Sequence, residues 1–273
     1  MRILLTNDDG VYAEGLQALR EALEKLPEVE LYIVAPDRER SASGHAITLH
    51  RPIFPTRIEI SGARAVIYSV SGTPADCVKL AIEELLPGRP DLVISGINHG
   101  PNLGTDVIYS GTVSAAIEGT ILGIPAVAVS LCTFGPGDYT FAAQFTRDLA
   151  LRVVREGLPR GTLLNVNIPP VSPAQCAGVA ITKLGVRLYK NQWDRRVDPR
   201  GKVYYWLAGE VMELHNDPDS DVVAVQNNLI SITPLQLDLT DYRLLERLKS
   251  WSFSLGAPPG PGGQVREGDG AGD

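Results

Sequence analysis

The sequence predicts a doubly wound α/β protein, with a mostly parallel, Rossmann-like sheet, helices on both faces and a β-rich C-terminal extension. Short apolar runs rich in Val, Ile and Leu recur through the first two-thirds of the 273 residues. Segments with helical spacing lie between them, and this βαβα rhythm is the pattern of a parallel sheet. After about residue 169 the rhythm gives way to short strand-like segments with polar connections.

Residues 2–6 form an apolar run that ends at Asn-Asp-Asp-Gly, a buried strand leading into a turn. Residues 14–26 carry Leu16, Leu19, Leu23 and Leu26 on one helical face, and Pro27 stops that helix. The next strand is 30–35. Two extended segments, 47–60 and 65–70, are rich in β-branched residues and suggest a ribbon. Residues 73–86 read as a helix capped by Thr73, with Pro74 in its first turn and Asp76 three residues after the cap. A central strand at 91–95 is followed by a Gly-rich loop through Tyr109, a helix at 110–122, a strand at 126–131, a helix at 139–156 and a strand at 163–168. Beyond these, 180–183, 186–189, 203–207 and 229–233 read as short strands, and 240–251 as an amphipathic helix. The expected organisation is one α/β domain over 1–255. Its core spans about 1–170 and its extension, an arm suited to oligomer contacts, about 171–255. Residues 256–273 hold seven Gly and three Pro and are expected to be a disordered tail.

Composition narrows the function. Hydrophobic residues make up 44% and charged residues 21%, ordinary for a globular chain. The net charge of −7 and the lack of basic runs argue against tight binding to long nucleic acid. A small anionic substrate remains compatible, because one bound cation inverts the local field. The three cysteines form no CxxC, and no apolar stretch approaches the roughly 20 residues that span a bilayer. The expectation is a soluble, cytoplasmic protein without a membrane.

Two polar segments fall at strand ends, where open α/β sheets bind ligands. In Asn7-Asp8-Asp9-Gly10 the adjacent carboxylates offer hard oxygen ligands for Mg²⁺ or Mn²⁺. They also repel each other, which a cation resolves. Taken alone, Asp-Gly is equally a turn signal. The second segment, residues 95–112, passes through Gly96, Gly100 and Gly104 into a helix at Ser110-Gly111-Thr112. Free amides and the positive end of the helix dipole make that helix start an anion site. There Gly111 admits a phosphate, and Ser110 and Thr112 supply hydroxyl donors. Asn98, at the strand end, offers an amide oxygen to a metal or a contact to the phosphate. The segment from Arg38 to His45 carries small hydroxyl residues suited to a metal shell or a phosphate, although a solvated loop explains them as well. His45 and His99 are acid–base candidates that are equally readable as structural. The DxDx[TV] pattern of haloacid-dehalogenase-type phosphatases is absent, as are Walker A and GxSxG sequences. Metal-activated water therefore fits better than a covalent intermediate.

NDDG near the N-terminus, then RSASGHAIT, SGTPADCV and SGINHGPNLGTDVIYSGTVSAAIEG, together resemble the SurE (survival protein E) family. The resemblance runs from Met1 to about Thr240 and includes the late SITPLQLDLT stretch. It implies a 5′/3′-nucleotidase acting on nucleoside monophosphates, with one divalent ion per subunit held by Asp8, Asp9, Ser41 and Asn98. It further implies a phosphate site in Tyr109–Val113 and a C-terminal arm exchanged in homodimers or homotetramers. Ser41 enters the metal set through the resemblance alone.

The resulting expectation is a phosphomonoesterase in which Asp8 and Asp9 hold the metal and one of them accepts the proton of the attacking water. Asn98, Ser110, Gly111 and Thr112 contact the phosphate. Two other readings stand beside it: a nucleotide- or phosphate-binding stress-response protein without turnover, and an oligomeric scaffold built on the arm.

Overall fold

The computed structural model describes residues 1–212, 214–251 and 253; the tail expected at 256–273 lies outside the described residues. The described residues fall into two compact units, one over 1–237 and one beginning at 238.

The first unit is built on a nine-stranded sheet. Its strands, in chain order, are β1 (Arg2–Thr6), β2 (Glu30–Pro36), β3 (Pro55–Ile58), β4 (Val66–Val70), β5 (Leu92–His99), β6 (Ala126–Leu131), β7 (Thr162–Ile168), β8 (Gly178–Ile181) and β11 (Leu229–Gln236). Their order across the sheet is β3-β4-β2-β1-β5-β6-β7-β11-β8. The six strands β4-β2-β1-β5-β6-β7 run parallel, as their near-continuous apolar sequences require of strands buried on both faces. From β1 the chain first builds outward on the β2 side, then returns to β5 and builds the other way. The C-terminal ends of β1 and β5 therefore flank the topological switch point.

Helices α1 (Glu14–Leu23) and α4 (Thr140–Glu156) cover one face, burying Leu16, Leu19 and Leu23 with Ile3, Leu5 and Ile94. Helices α2 (Pro74–Leu80) and α3 (Gly111–Ile121) cover the other with Cys77, Val78 and Val113 against Leu4 and Val93. The alternation of neighbouring β1 residues between the two cores follows from the period of two along a strand. Gly15 is fixed by this packing, because a Cβ there would meet the Ile97 carbonyl oxygen at 2.1 Å.

Several elements depart from the sequence reading. The helix expected over 73–86 is α-helical only to Leu80 and continues as a π turn at Ala81–Leu85. Of the extended segment 47–60, only β3 is a strand, an antiparallel edge on β4. The Gly-rich loop holds a 3₁₀ turn at Gly104–Ile108. Most of 186–189 is not a strand; the chain enters a separate hairpin instead, β9 (Tyr189–Val197) with β10 (Val203–Val211). Helix α5 (Asp221–Gln226) was not foreseen, because six residues are too few for a periodic signal. In the second unit α6 spans Tyr242–Leu248, shorter than the 240–251 expected. Among the described residues, no helix is long and apolar enough to cross a membrane.

The expected cap of α2 is present. Thr73 accepts from the Asp76 amide at 3.1 Å, and Asp76 accepts from the Thr73 amide at 2.9 Å. Asp76 also accepts from the amide and hydroxyl of Thr48. Burial opposes its charge, but these donors outweigh burial and hold its carboxyl below the usual range. Thr73→Ala should cost about 1 kcal/mol of unfolding free energy. Asp76→Ala should cost clearly more, because it also frees the Thr48 segment; urea denaturation of both variants checks this order.

Candidate active site at the switch point

The site begins with a turn that Asn7 clamps. Asn7 is completely buried; its side-chain amide donates to the Gly10 carbonyl at 2.9 Å, and its oxygen accepts from the Gly10 amide at 3.2 Å. Gly10 has φ +105°, a conformation that favours glycine. This clamp turns Asp8 and Asp9 to different neighbours.

Asp8 goes to the start of α3. The Thr112 hydroxyl donates to Asp8 Oδ1, and both side chains are buried. A Cβ on Gly111 would lie 2.8 Å from Asp8 Oδ2 and 3.0 Å from Ser43 Oγ, so only glycine lets the carboxylate sit this close to the helix. Burial, with a smaller push from the Asp9 charge, raises the Asp8 carboxyl to about 6 against the pull of the Thr112 donors. Asp9 goes to the end of β5, where Oδ2 accepts from the His99 amide at 3.0 Å. Burial raises it too; the His99 amide opposes this and Glu39 adds to it. Two carboxylates with raised affinity for protons, side by side, form a site that favours a positive charge.

The other expected residues are distributed around this pair. Asn98 donates its amide nitrogen to the Gly100 carbonyl at 2.8 Å, so its oxygen is the atom it could offer a cation. Ser110 is the N-cap of α3 and accepts from the Val113 amide at 3.0 Å. Thr112, expected to donate to phosphate, instead spends its hydroxyl on Asp8 and is fully buried. Ser41 is exposed and its hydroxyl donates to Glu39 at 2.7 Å, although the Arg40 amide beside it is bonded to the Asp8 carbonyl at 2.7 Å. His45 Nε2 lies 2.8 Å from the buried Glu118 carboxylate on α3, which ties the loop at 41–45 to that helix. His99 Nδ1 lies 2.8 Å from the Tyr139 hydroxyl.

The residues that hold the Gly-rich loop escaped the sequence reading. Buried Asn165 and Asn167 on β7 both donate to the Asn102 carbonyl, Asn167 accepts from the Asn102 amide, and Asn102 donates to Ser130 on β6 at 2.7 Å. Their signal was available: two asparagines at i and i+2 in an apolar strand share one face. Asp221, fully buried at the start of α5, accepts from the amides of Gly104 and Gly185, each at 2.8 Å. Nothing local in the sequence marks that contact, which spans 117 residues.

The fold and this site define a doubly wound α/β protein with an acidic pocket joined to a helix N-terminus. The family model for Survival protein SurE matches residues 3–191. The chain is 60% identical to the 5′-nucleotidase SurE of Symbiobacterium thermophilum, over 93% of this chain and 99% of the relative. It is 56% identical to that of Pelotomaculum thermopropionicum, over 91% and 94%. The crystal structure of SurE protein from Aquifex aeolicus superposes with a TM-score of 0.79 at 43% identity, covering 91% of this chain and 98% of that one. The chain belongs to the SurE family.

Burial of Asp8 carries a signature. Its folded value near 6 lies above the ordinary value of 3.8, so the folded chain binds this proton more tightly than the unfolded chain does. Metal-free protein should therefore lose stability as pH rises from about 4 through 6 and level off above. Asp8→Asn should remove most of that decline, on the order of 2 kcal/mol, in denaturation with EDTA at pH 4.5 and pH 7.5.

Proposed function

We propose that the chain is a divalent-metal-dependent 5′-nucleotidase that hydrolyses nucleoside monophosphates to nucleoside and phosphate. The observation that carries this reading is the seat of Asp8, pressed by Gly111 and Thr112 against the start of α3. The names of the relatives support the reaction class.

The donor set fits a hard cation. Asp8, Asp9 and the Asn98 side chain all offer oxygen donors, the kind a hard divalent cation takes. Ser41 would join them by exchanging its bond to Glu39. Bound there, Mg²⁺ or Mn²⁺ would polarise a phosphoryl oxygen and acidify a water. The protein's own residues do the rest. The Ser110 hydroxyl accepts from Val113 and keeps its proton to donate, so with the Gly111 amide it can hold the phosphoryl oxygens. Asp9, less buried than Asp8, is the better placed of the two to accept the proton of the attacking water. Thr112 serves by fixing Asp8 rather than by touching phosphate. On this reading residues 1–255 work as one phosphatase domain. The hairpin's exposed Trp193, Tyr205 and Trp206 suit assembly into homodimers or homotetramers.

Release of inorganic phosphate from AMP should require Mg²⁺ or Mn²⁺ and stop with EDTA. Asp8→Asn and Asp9→Asn should each lower kcat by at least about 100-fold while leaving the circular dichroism spectrum unchanged. Wild-type turnover in both variants would end the proposal. Tight AMP binding by the native chain without phosphate release would instead favour a nucleotide receptor.

A further inference from the structure

Asp8, Asp9, Asn98 and Ser110 account for the phosphate end of a nucleotide and leave its base unassigned. The C-terminal ends of β1, β5 and β6 are consecutive across the sheet, about 4.8 Å apart per strand. The first carries the two carboxylates and the second Asn98. The third carries Phe134, whose side chain is 80% exposed.

This ring is seated beside the site. The point where a Cβ on Gly100 would stand is 3.7 Å from Phe134 Cε1 and 4.0 Å from Asn98 Nδ2. One ring edge thus faces the Gly-rich loop at Gly100, the residue whose carbonyl accepts from Asn98, while most of the side chain is open. The turn beneath it is tied down. The Leu131 carbonyl accepts from the amides of both Gly100 and Thr133, at 2.9 and 2.8 Å, and the Gly135 amide donates to the Thr133 hydroxyl at 3.2 Å. An exposed phenyl ring is ordinary when it stands alone on a surface. Here it stands one strand beyond the residues that would hold the phosphate, at the same carboxyl edge of the sheet where open α/β sheets bind their ligands.

We infer that Phe134 is the stacking platform for the nucleobase of the substrate. Every base has a π face, so such a platform adds affinity for nucleotides over other phosphate esters while discriminating little among bases. The inference rests on the nucleotidase reading and deepens it.

The test compares AMP with ribose 5-phosphate, which presents the same phosphoryl group without a base. Phe134→Ala should lower kcat/KM for AMP by roughly fivefold or more, mainly through KM, and leave ribose 5-phosphate unchanged. Phe134→Trp should retain the preference for AMP. An unchanged ratio between the two substrates overturns the inference, as does an equal loss on both, which would assign the ring to the phosphate end. Altered elution of Phe134→Ala in size-exclusion chromatography would assign it to a contact between copies and also overturn it. If the native chain hydrolyses neither substrate with Mg²⁺ or Mn²⁺, the nucleotidase reading fails first and the platform with it.

Discussion

The structure of the site depends on one contact, the carboxylate of Asp8 held at the first turn of α3. A buried carboxylate is costly unless donors or a cation compensate it. Thr112 supplies part of that compensation through its hydroxyl, and the absence of a side chain at Gly111 lets the two elements meet. Burial still dominates and lifts the carboxyl to about 6, so the compensation is incomplete. That residual demand for positive charge is what the proposed cation would meet. It also binds the two halves of the proposed chemistry together, since the element that would receive phosphate is the one that positions the ligand.

Everything around this contact serves to bring distant segments to it. Asn7 sets the turn after β1, and the Asn102–Asn165–Asn167 network fixes the loop after β5 from beneath. Asp221 reaches the same loop from the C-terminal extension, where Arg187 also pairs with Asp106 at 3.1 Å and Tyr189 donates to Asp106 at 2.7 Å. The extension is therefore mechanically continuous with the site, and Tyr189 begins the hairpin. Strain or disorder introduced at 185–189 would act on the loop that follows Asn98.

Much of this was legible in the residues because it is local. Hydrophobic period located the parallel strands and the helices α1 to α4, and cap chemistry located the start of α2 to the residue. The NDDG and YSGT segments were readable as a strand-end turn and a helix start, because Asn, Asp and Gly favour turns and Ser caps helices. What stayed hidden was non-local or rotational. That Thr112 would turn to Asp8, 104 residues away, depends on how β1 and α3 pack. Ser41 and Glu39 are two residues apart, yet which partner the serine takes is decided by loop conformation. Helix α5 was too short to show a period, and Phe134 carried no motif at all.

The most direct measurement of the central claim is an anomalous difference map from crystals of the native chain grown with Mn²⁺. The account expects a single strong peak within coordination distance of Asp8 and Asp9, with the Asn98 amide oxygen turned towards it and the Thr112–Asp8 contact retained. Mn²⁺ bound elsewhere, with Asp8 and Asp9 left as a plain turn, would contradict it.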